Sequence, residues 1–131
     1  MCNKKNDTEL MQIDSNNFKE VTTFARDLDF PGDYTCYVSP FVWDSYVIWK
    51  DDDFSIHQTE KERLQMILKG TLHCFSDNGV SKLPDKELFF RQKVLVYTQN
   101  GEVELELVLF RINAVINEQQ EPCLLIDAVL F

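Results

Sequence analysis

The stretch "FFRQKVLVYTQNGEVELELVLFRINAVI", residues 89–116, decides the fold of this 131-residue chain. An apolar run, Val94 to Tyr97, precedes Asn100-Gly101, and apolar residues alternate with glutamates after it. Asn-Gly is typical of two-residue hairpin turns. A two-residue turn places Val96 opposite Leu105 and fixes the register of every other pair. The stretch therefore predicts an antiparallel hairpin with one apolar inner face.

The same register predicts an acidic row on the outer face, formed by Glu102, Glu104 and Glu106. Like charges at every second residue of one strand face are typical of a face that meets water or a basic surface. From Val108 onward the apolar residues continue the parity of the glutamates. Either a bulge near residues 109–111 exchanges the two faces, or both faces become covered there.

The other apolar patterns predict, in chain order, a helix over 15–29, strands over 34–39 and 41–49, a helix over 59–70, a short strand over 71–75 and a strand over 123–131. Ser15 is the expected N-cap of the first helix. Thr59 and Glu62 form a capping box for the second helix, and Gly70 marks its end. The last strand is apolar on both faces, which predicts a central or covered position.

This order predicts a single α+β domain over residues 1–131, with residues 1–13 flexible. We expect a mainly antiparallel twisted sheet of about five to six strands with two helices packed on one face. The last third of the chain is expected to form a β-meander.

The chain is acidic, with 13 Lys and Arg against 22 Asp and Glu and a net charge of −9. Such a surface repels nucleic acid and anionic membranes and attracts basic proteins, although it also serves solubility. The first residues lack the apolar segment of a secretory signal, and no apolar run is long enough to span a membrane. The four cysteines are scattered without close pairs, so we predict a cytoplasmic protein.

Over half of this charge lies between Asp33 and Glu60, where six acidic residues and one basic residue give −5. The densest part is "VIWKDDDFSIH", residues 47–57. Its three aspartates could form a solvated connection, a patch facing a basic partner, or a metal or catalytic site with His57. Consecutive aspartates in an extended chain point to alternating sides and do not converge on one ion. We therefore predict no metal, no cofactor and no catalytic residue.

The predicted partner-binding residues combine acidic and aromatic side chains, which suit steered association with a basic surface. They are Asp44, Tyr46, Trp49, Asp51, Asp52, Asp53, Glu102, Glu104 and Glu106. Asp127 stands apart in an apolar strand, where a carboxylate is usually paired, and Arg91 or Arg111 could pair with it.

The acidic-aromatic segment "WDSYVIWKDDDF", residues 43–54, and the short acidic α+β chain around it resemble the immunity proteins of bacterial polymorphic toxin systems, including contact-dependent growth inhibition. The resemblance implies a basic nuclease toxin domain as partner and stoichiometric inhibition without turnover. Two alternatives remain open. One is a phage-type anti-nuclease or nucleic-acid mimic. The other is a small enzyme or ligand-binding domain with a pocket between helices and sheet, lined by Asp127 or His57.

Overall fold

The structure is a computed structural model that describes residues 10–49, 59–98 and 100–129. Its elements, in chain order, are β1 (Met11–Gln12), a 3₁₀ turn (Ser15–Asn17), β2 (Lys19–Glu20), α1 (Thr22–Asp27), β3 (Thr35–Val38), α2 (Pro40–Val42), a π-helical turn (Trp43–Val47), α3 (Glu60–Asp77), β4 (Leu88–Tyr97), β5 (Val103–Ile116) and β6 (Pro122–Ala128).

The six strands form one open sheet in the order β1-β5-β6-β3-β2, with β4 also paired to β5. The pairs β1–β5 and β3–β6 are parallel, and the other three pairs are antiparallel. The α+β class is thus confirmed, and the sheet is mixed, with its two longest pairs, β4–β5 and β5–β6, antiparallel. The meander β4–β5–β6 and the central position of β6 agree with the sequence.

The main hydrophobic core lies between the helices and one face of the sheet. Its fully buried members include Leu64, Ile67, Phe75, Phe110, Ile112, Leu124 and Ile126. A smaller cluster covers the opposite face near the chain start, formed by Ile13, Tyr37, Val115, Cys123 and Leu125. Both faces of the second half of β5 are therefore covered.

The predicted helix over 15–29 is much shorter in the structure, where α1 spans only Thr22–Asp27. Lys19 and Glu20 pair with β3 instead of continuing a helix. Ser15 begins a 3₁₀ turn, and the carboxylate of Asp14 accepts the hydrogen bond that caps it. Long-range strand pairing thus prevails over local helical periodicity in this segment.

The predicted strand over 41–49 is wrong, because the chain forms α2 and the π-helical turn there. The Ser39 hydroxyl accepts a hydrogen bond from the Val42 N–H (3.2 Å), and Pro40 occupies the first helical turn. Both features are typical of a helix start. Of the aromatic and β-branched residues that suggested a strand, Val42, Tyr46 and Val47 are buried in the core, whereas Phe41 is exposed.

The capping box at Thr59 and Glu62 is confirmed, but α3 continues past Gly70 to Asp77. The predicted strand over 71–75 is therefore wrong. Gly70 lies in the helix interior where β4 passes closely, since an added Cβ would come within 2.3 Å of the Gln92 Oε1 atom. The helix instead ends before Gly79, which has φ +65°.

The hairpin register is displaced by one residue from the predicted one, because Val96 faces Glu104 and not Leu105. Thr98 N–H donates to Glu102 O (2.8 Å), and Gly101 N–H donates to Thr98 O (3.0 Å). With Gly101 at φ 81°, these bonds define a three-residue connection, the next most common hairpin type after the two-residue turn. Asn100-Gly101 suits both types, so the dipeptide alone could not fix the register.

Candidate functional site

The displaced register brings the strand glutamates to the same side of the sheet as the helices. β5 runs from Val103 to Ile116 as one strand, and Glu104 and Glu106 share the face of buried Val108 and Phe110. No bulge exchanges the faces, so the predicted acidic outer face is wrong. Both glutamates remain exposed to solvent. They therefore form an acidic continuation of the core-facing side of the hairpin.

The π-helical turn presents its side chains toward this part of β5. Ile48 N–H donates to Trp43 O at 3.0 Å, so one extra residue is accommodated in the turn. Such π-helical segments are frequent at functional sites. Asp44 points outward and is exposed, whereas Tyr46 lies in the core with 7% of its surface exposed.

A surface cleft of about 440 Å³ lies between the π-helical turn, α3 and the β4–β5 hairpin. Its lining consists of Phe41, Asp44, Ser45, Tyr46, Ile48, Trp49, Arg63, Val96, Thr98 and Glu106. We call it the acidic cleft, because its exposed charged residues among those described are the carboxylates Asp44 and Glu106.

Aromatic contacts fix one wall of the acidic cleft. The Tyr46 ring packs edge-on against Phe41 and Phe110, with centroids 5.7 and 5.8 Å apart. Burial raises the pKa of Tyr46, and the negative charge of Glu106 raises it further. The Tyr46 hydroxyl therefore stays neutral at physiological pH and offers a hydrogen bond rather than a charge.

A buried arginine forms the inner end of the cleft. Arg63 is 1% exposed, and its guanidinium carbon lies 4.7 Å from the Trp49 ring centroid. Burial lowers the Arg63 pKa, but an arginine stays charged across the physiological range. Through this cation–π contact, the Trp49 ring packs on Arg63 and lines the same cleft as the two carboxylates.

The structure gathers four of the predicted partner-binding residues around this one cleft, namely Asp44, Tyr46, Trp49 and Glu106. Glu104 is exposed on the same face of β5, and Glu102 is exposed at the end of the turn. The sequence had placed these residues in two separate acidic segments. Asp51, Asp52 and Asp53 lie outside the described residues, as does His57.

Sequence reasoning missed Phe41 and Arg63 as parts of the cleft. Arg63 lies four residues before the buried Ile67, so helical spacing alone places it on the buried face of α3. Phe41 was assigned to a strand, and only the Ser39-Pro40 helix start would have shown its true position.

Asp127 has a structural role in the outer face of the sheet. It accepts hydrogen bonds from the Ser39 hydroxyl (2.7 Å) and the Ala128 N–H (2.8 Å). Its second oxygen lies 3.2 Å from the Arg111 guanidinium. Arg111, and not Arg91, is therefore its partner, and the acidic group is accounted for by these contacts.

Among the described residues, no group of three or more His, Cys, Asp or Glu side chains is placed to hold a metal ion. Within the same ranges, no helix combines the length and apolar character needed to cross a membrane. Comparison of the chain with protein-family models, curated proteins and solved structures gave no match.

Proposed function

We propose that the chain is a non-catalytic binding protein, an immunity protein that inhibits a cognate basic nuclease toxin in the cytoplasm. The acidic cleft would contact the positively charged surface on which the toxin binds nucleic acid. Carboxylates there compete with phosphates for the same Lys and Arg side chains. Inhibition would be stoichiometric, with no turnover and no cofactor.

The main support for this proposal is that Asp44 and Glu106 line one cleft. Trp49 and Phe41 line the same cleft. These residues come from two distant parts of the chain, and their charges are exposed on a rim around aromatic surface. Aromatic anchors with exposed charge around them are typical of energetically important protein interfaces. The net charge of −9 favours a basic partner over an acidic one.

A phage-type anti-nuclease or nucleic-acid mimic would use the same surface against a different target. The ligand-binding or enzyme alternative is favoured by the position of the cleft between helices and sheet. However, Asp127, one of the residues on which that alternative rests, is held by its own structural contacts. The inhibitor is therefore the function that the described residues support best.

The test measures binding to, and inhibition of, a basic nuclease domain encoded beside this gene. We expect inhibition at a one-to-one ratio and an association rate that falls as salt rises. The double variant Asp44→Lys/Glu106→Lys should weaken binding at least about tenfold, equivalent to about 1.4 kcal/mol, mainly through slower association.

The matched control is Asp27→Lys/Asp85→Lys, which makes the same change in net charge at exposed positions outside the cleft. It should change the affinity less than about threefold, because a diffuse charge effect is weaker than a local one. Equal losses in both double variants would reject the cleft as the site. A nuclease that stays fully active with excess chain would reject the inhibitory function.

A further inference from the structure

Among the described residues, no strand pairs with one edge of β5 along residues 103–108, six of its 14 residues. Strands β4 and β6 both pair with β5 at Phe110 and Ile112, so they must lie on its opposite edges. On the β6 side, the pairing of the described residues reaches Phe110, and beyond it Val129 N–H donates to Leu109 O (2.8 Å). No other described strand lies beside residues 103–108 on that edge. We call these six residues the open edge.

The direction of the backbone groups follows from the bonds already made. Leu109 O points to the β6 side, and the N–H and C=O groups of one residue point the same way in a strand, alternating between neighbours. Leu105 and Leu107 therefore direct their N–H and C=O groups out of the open edge. Glu104 and Glu106 direct theirs toward β4, with which they pair. Among the described residues, the outward-directed donors and acceptors have no strand partner along about 20 Å of the open edge.

The side chains beside the open edge differ on its two faces. Leu105 is 64% and Leu107 58% exposed on the face turned away from the helices. Glu104 and Glu106 are exposed on the opposite face, next to the acidic cleft. At the end nearest β6, Phe41 lines both the acidic cleft and a second cavity of about 440 Å³ beside Val129. A strand laid along the edge would therefore have apolar contacts on one face and acidic contacts on the other.

Proteins usually protect such an edge with lysine, proline or a bulge, because an apolar open edge promotes unwanted pairing. The sequence "VELELV" of residues 103–108 has neither lysine nor proline, and its charged side chains are Glu104 and Glu106. Pairing between two copies would set Glu104 and Glu106 of one chain opposite glutamates of the other, which is unfavourable. The charges on this edge favour a basic partner over a second copy.

We propose that the open edge binds an extended segment of a basic partner as an added strand of the sheet. That segment alternates Lys or Arg, facing Glu104 and Glu106, with aliphatic residues that cover Leu105 and Leu107. Main-chain hydrogen bonds provide affinity in this mode, and the alternating side chains provide specificity. The inference rests on the proposed function for the basic character of the partner, and it adds the manner in which the partner is held.

The test uses the full chain and three acetylated, amidated eight-residue peptides. One alternates Lys and Val, one has the same residues as a block of four Lys and a block of four Val, and one alternates Asp and Val. Amide hydrogen exchange is followed residue by residue by NMR. We expect only the Lys-Val alternating peptide to slow exchange at Leu105 and Leu107, by at least about tenfold. Glu104 and Glu106 are matched internal controls, because their amides already face β4 and should change little.

A charge exchange tests the side-chain part of the proposal. The variant Glu104→Lys/Glu106→Lys should lose binding of the Lys-Val peptide and gain binding of the Asp-Val peptide. Both substitutions are at exposed positions, so the fold should be retained, and an unchanged amide spectrum around α3 would verify this.

Several outcomes overturn the inference. Failure of the Lys-Val peptide to bind does so, as does binding without slower exchange at Leu105 and Leu107. Slow exchange of those amides in the free chain also overturns it. If the exchange rate depends on protein concentration, a second copy covers the edge; if it does not, another segment of this chain does. None of these results removes the proposed function, which fails instead if the nuclease is not inhibited.

Discussion

Gly70→Ala tests whether tertiary contact, rather than helix propensity, determines the residue at this position of α3. Alanine is favoured over glycine in a helix interior by about 1 kcal/mol, so propensity alone predicts a more stable protein. The structure predicts the reverse. An added Cβ would lie 2.3 Å from Gln92 Oε1 and 2.5 Å from Phe90 Cε2, where ordinary contacts are about 3.5–4 Å.

Neither neighbour can move away without losing a contact. The Gln92 side chain donates to Met66 O at 3.1 Å, a bond worth about 0.5–1.5 kcal/mol. The Phe90 ring stacks on Phe110 with centroids 5.1 Å apart. Overpacking of this kind costs about 1–3 kcal/mol. After the propensity gain is subtracted, Gly70→Ala should lower the unfolding free energy by up to about 2 kcal/mol.

Urea denaturation followed by circular dichroism measures this difference. Lys69→Ala is the matched control, since Lys69 is the exposed neighbour on the same helix and should stay within about 0.5 kcal/mol of the parent. Adding Gln92→Ala to Gly70→Ala should recover part of the loss by removing the closest atom. A Gly70→Ala protein that is more stable than the parent would refute the close approach of β4.

Leu107→Ala should change stability by less than about 1 kcal/mol because Leu107 is 58% exposed, whereas Val108→Ala should cost about 2 kcal/mol because Val108 is 4% exposed. The opposite order, measured by urea denaturation, would restore the two-residue turn register. Thr59→Ala should cost about 1 kcal/mol by removing the acceptor of the Glu62 N–H (3.1 Å), and an unchanged thermal midpoint would contradict the capping box. Burial, followed by the charge of Cys123, raises the pKa of Cys36 from 9.0 to about 12. The unfolded thiol loses its proton first, so stability should fall as pH rises from about 9 to 12, by at most about 1.4 kcal/mol per pH unit for this group. Urea denaturation at several pH values should show a shallower fall in Cys36→Ala, and an identical fall would contradict the shift.

The sequence predicted those elements whose local signals agree with their long-range contacts. The capping box began α3 where Thr59 and Glu62 indicated, and the apolar 123–131 segment indicated a central strand. Local signals failed where a neighbouring element imposed another arrangement. Gly70 alone suggests the end of a helix. The glycine instead accommodates the close passage of β4, which no pattern in the sequence indicates.

The candidate site was predicted in its residue types but not in its assembly. Asp44 and Glu106 were both chosen for charge, yet they were expected on separate strands. Their meeting depends on two local choices, a helix start at Ser39 and a three-residue hairpin connection. Each of these two features changes the folding free energy by about 1 kcal/mol. That is too little to be recognised from the sequence when other patterns compete with it.

The choice of which side chains of β5 face the core follows from their burial free energies along the whole strand. Val108, Phe110 and Ile112 are all buried on one face, and each such side chain contributes roughly 1.5–3 kcal/mol on burial. Together they outweigh any preference between two hairpin connections, so an unbulged strand must place its glutamates on that same face. Leu105 and Leu107 consequently lie on the opposite face, where they stay largely exposed. The added strand that we propose would bury this apolar surface and so gain the stabilisation that these two leucines do not provide in folding.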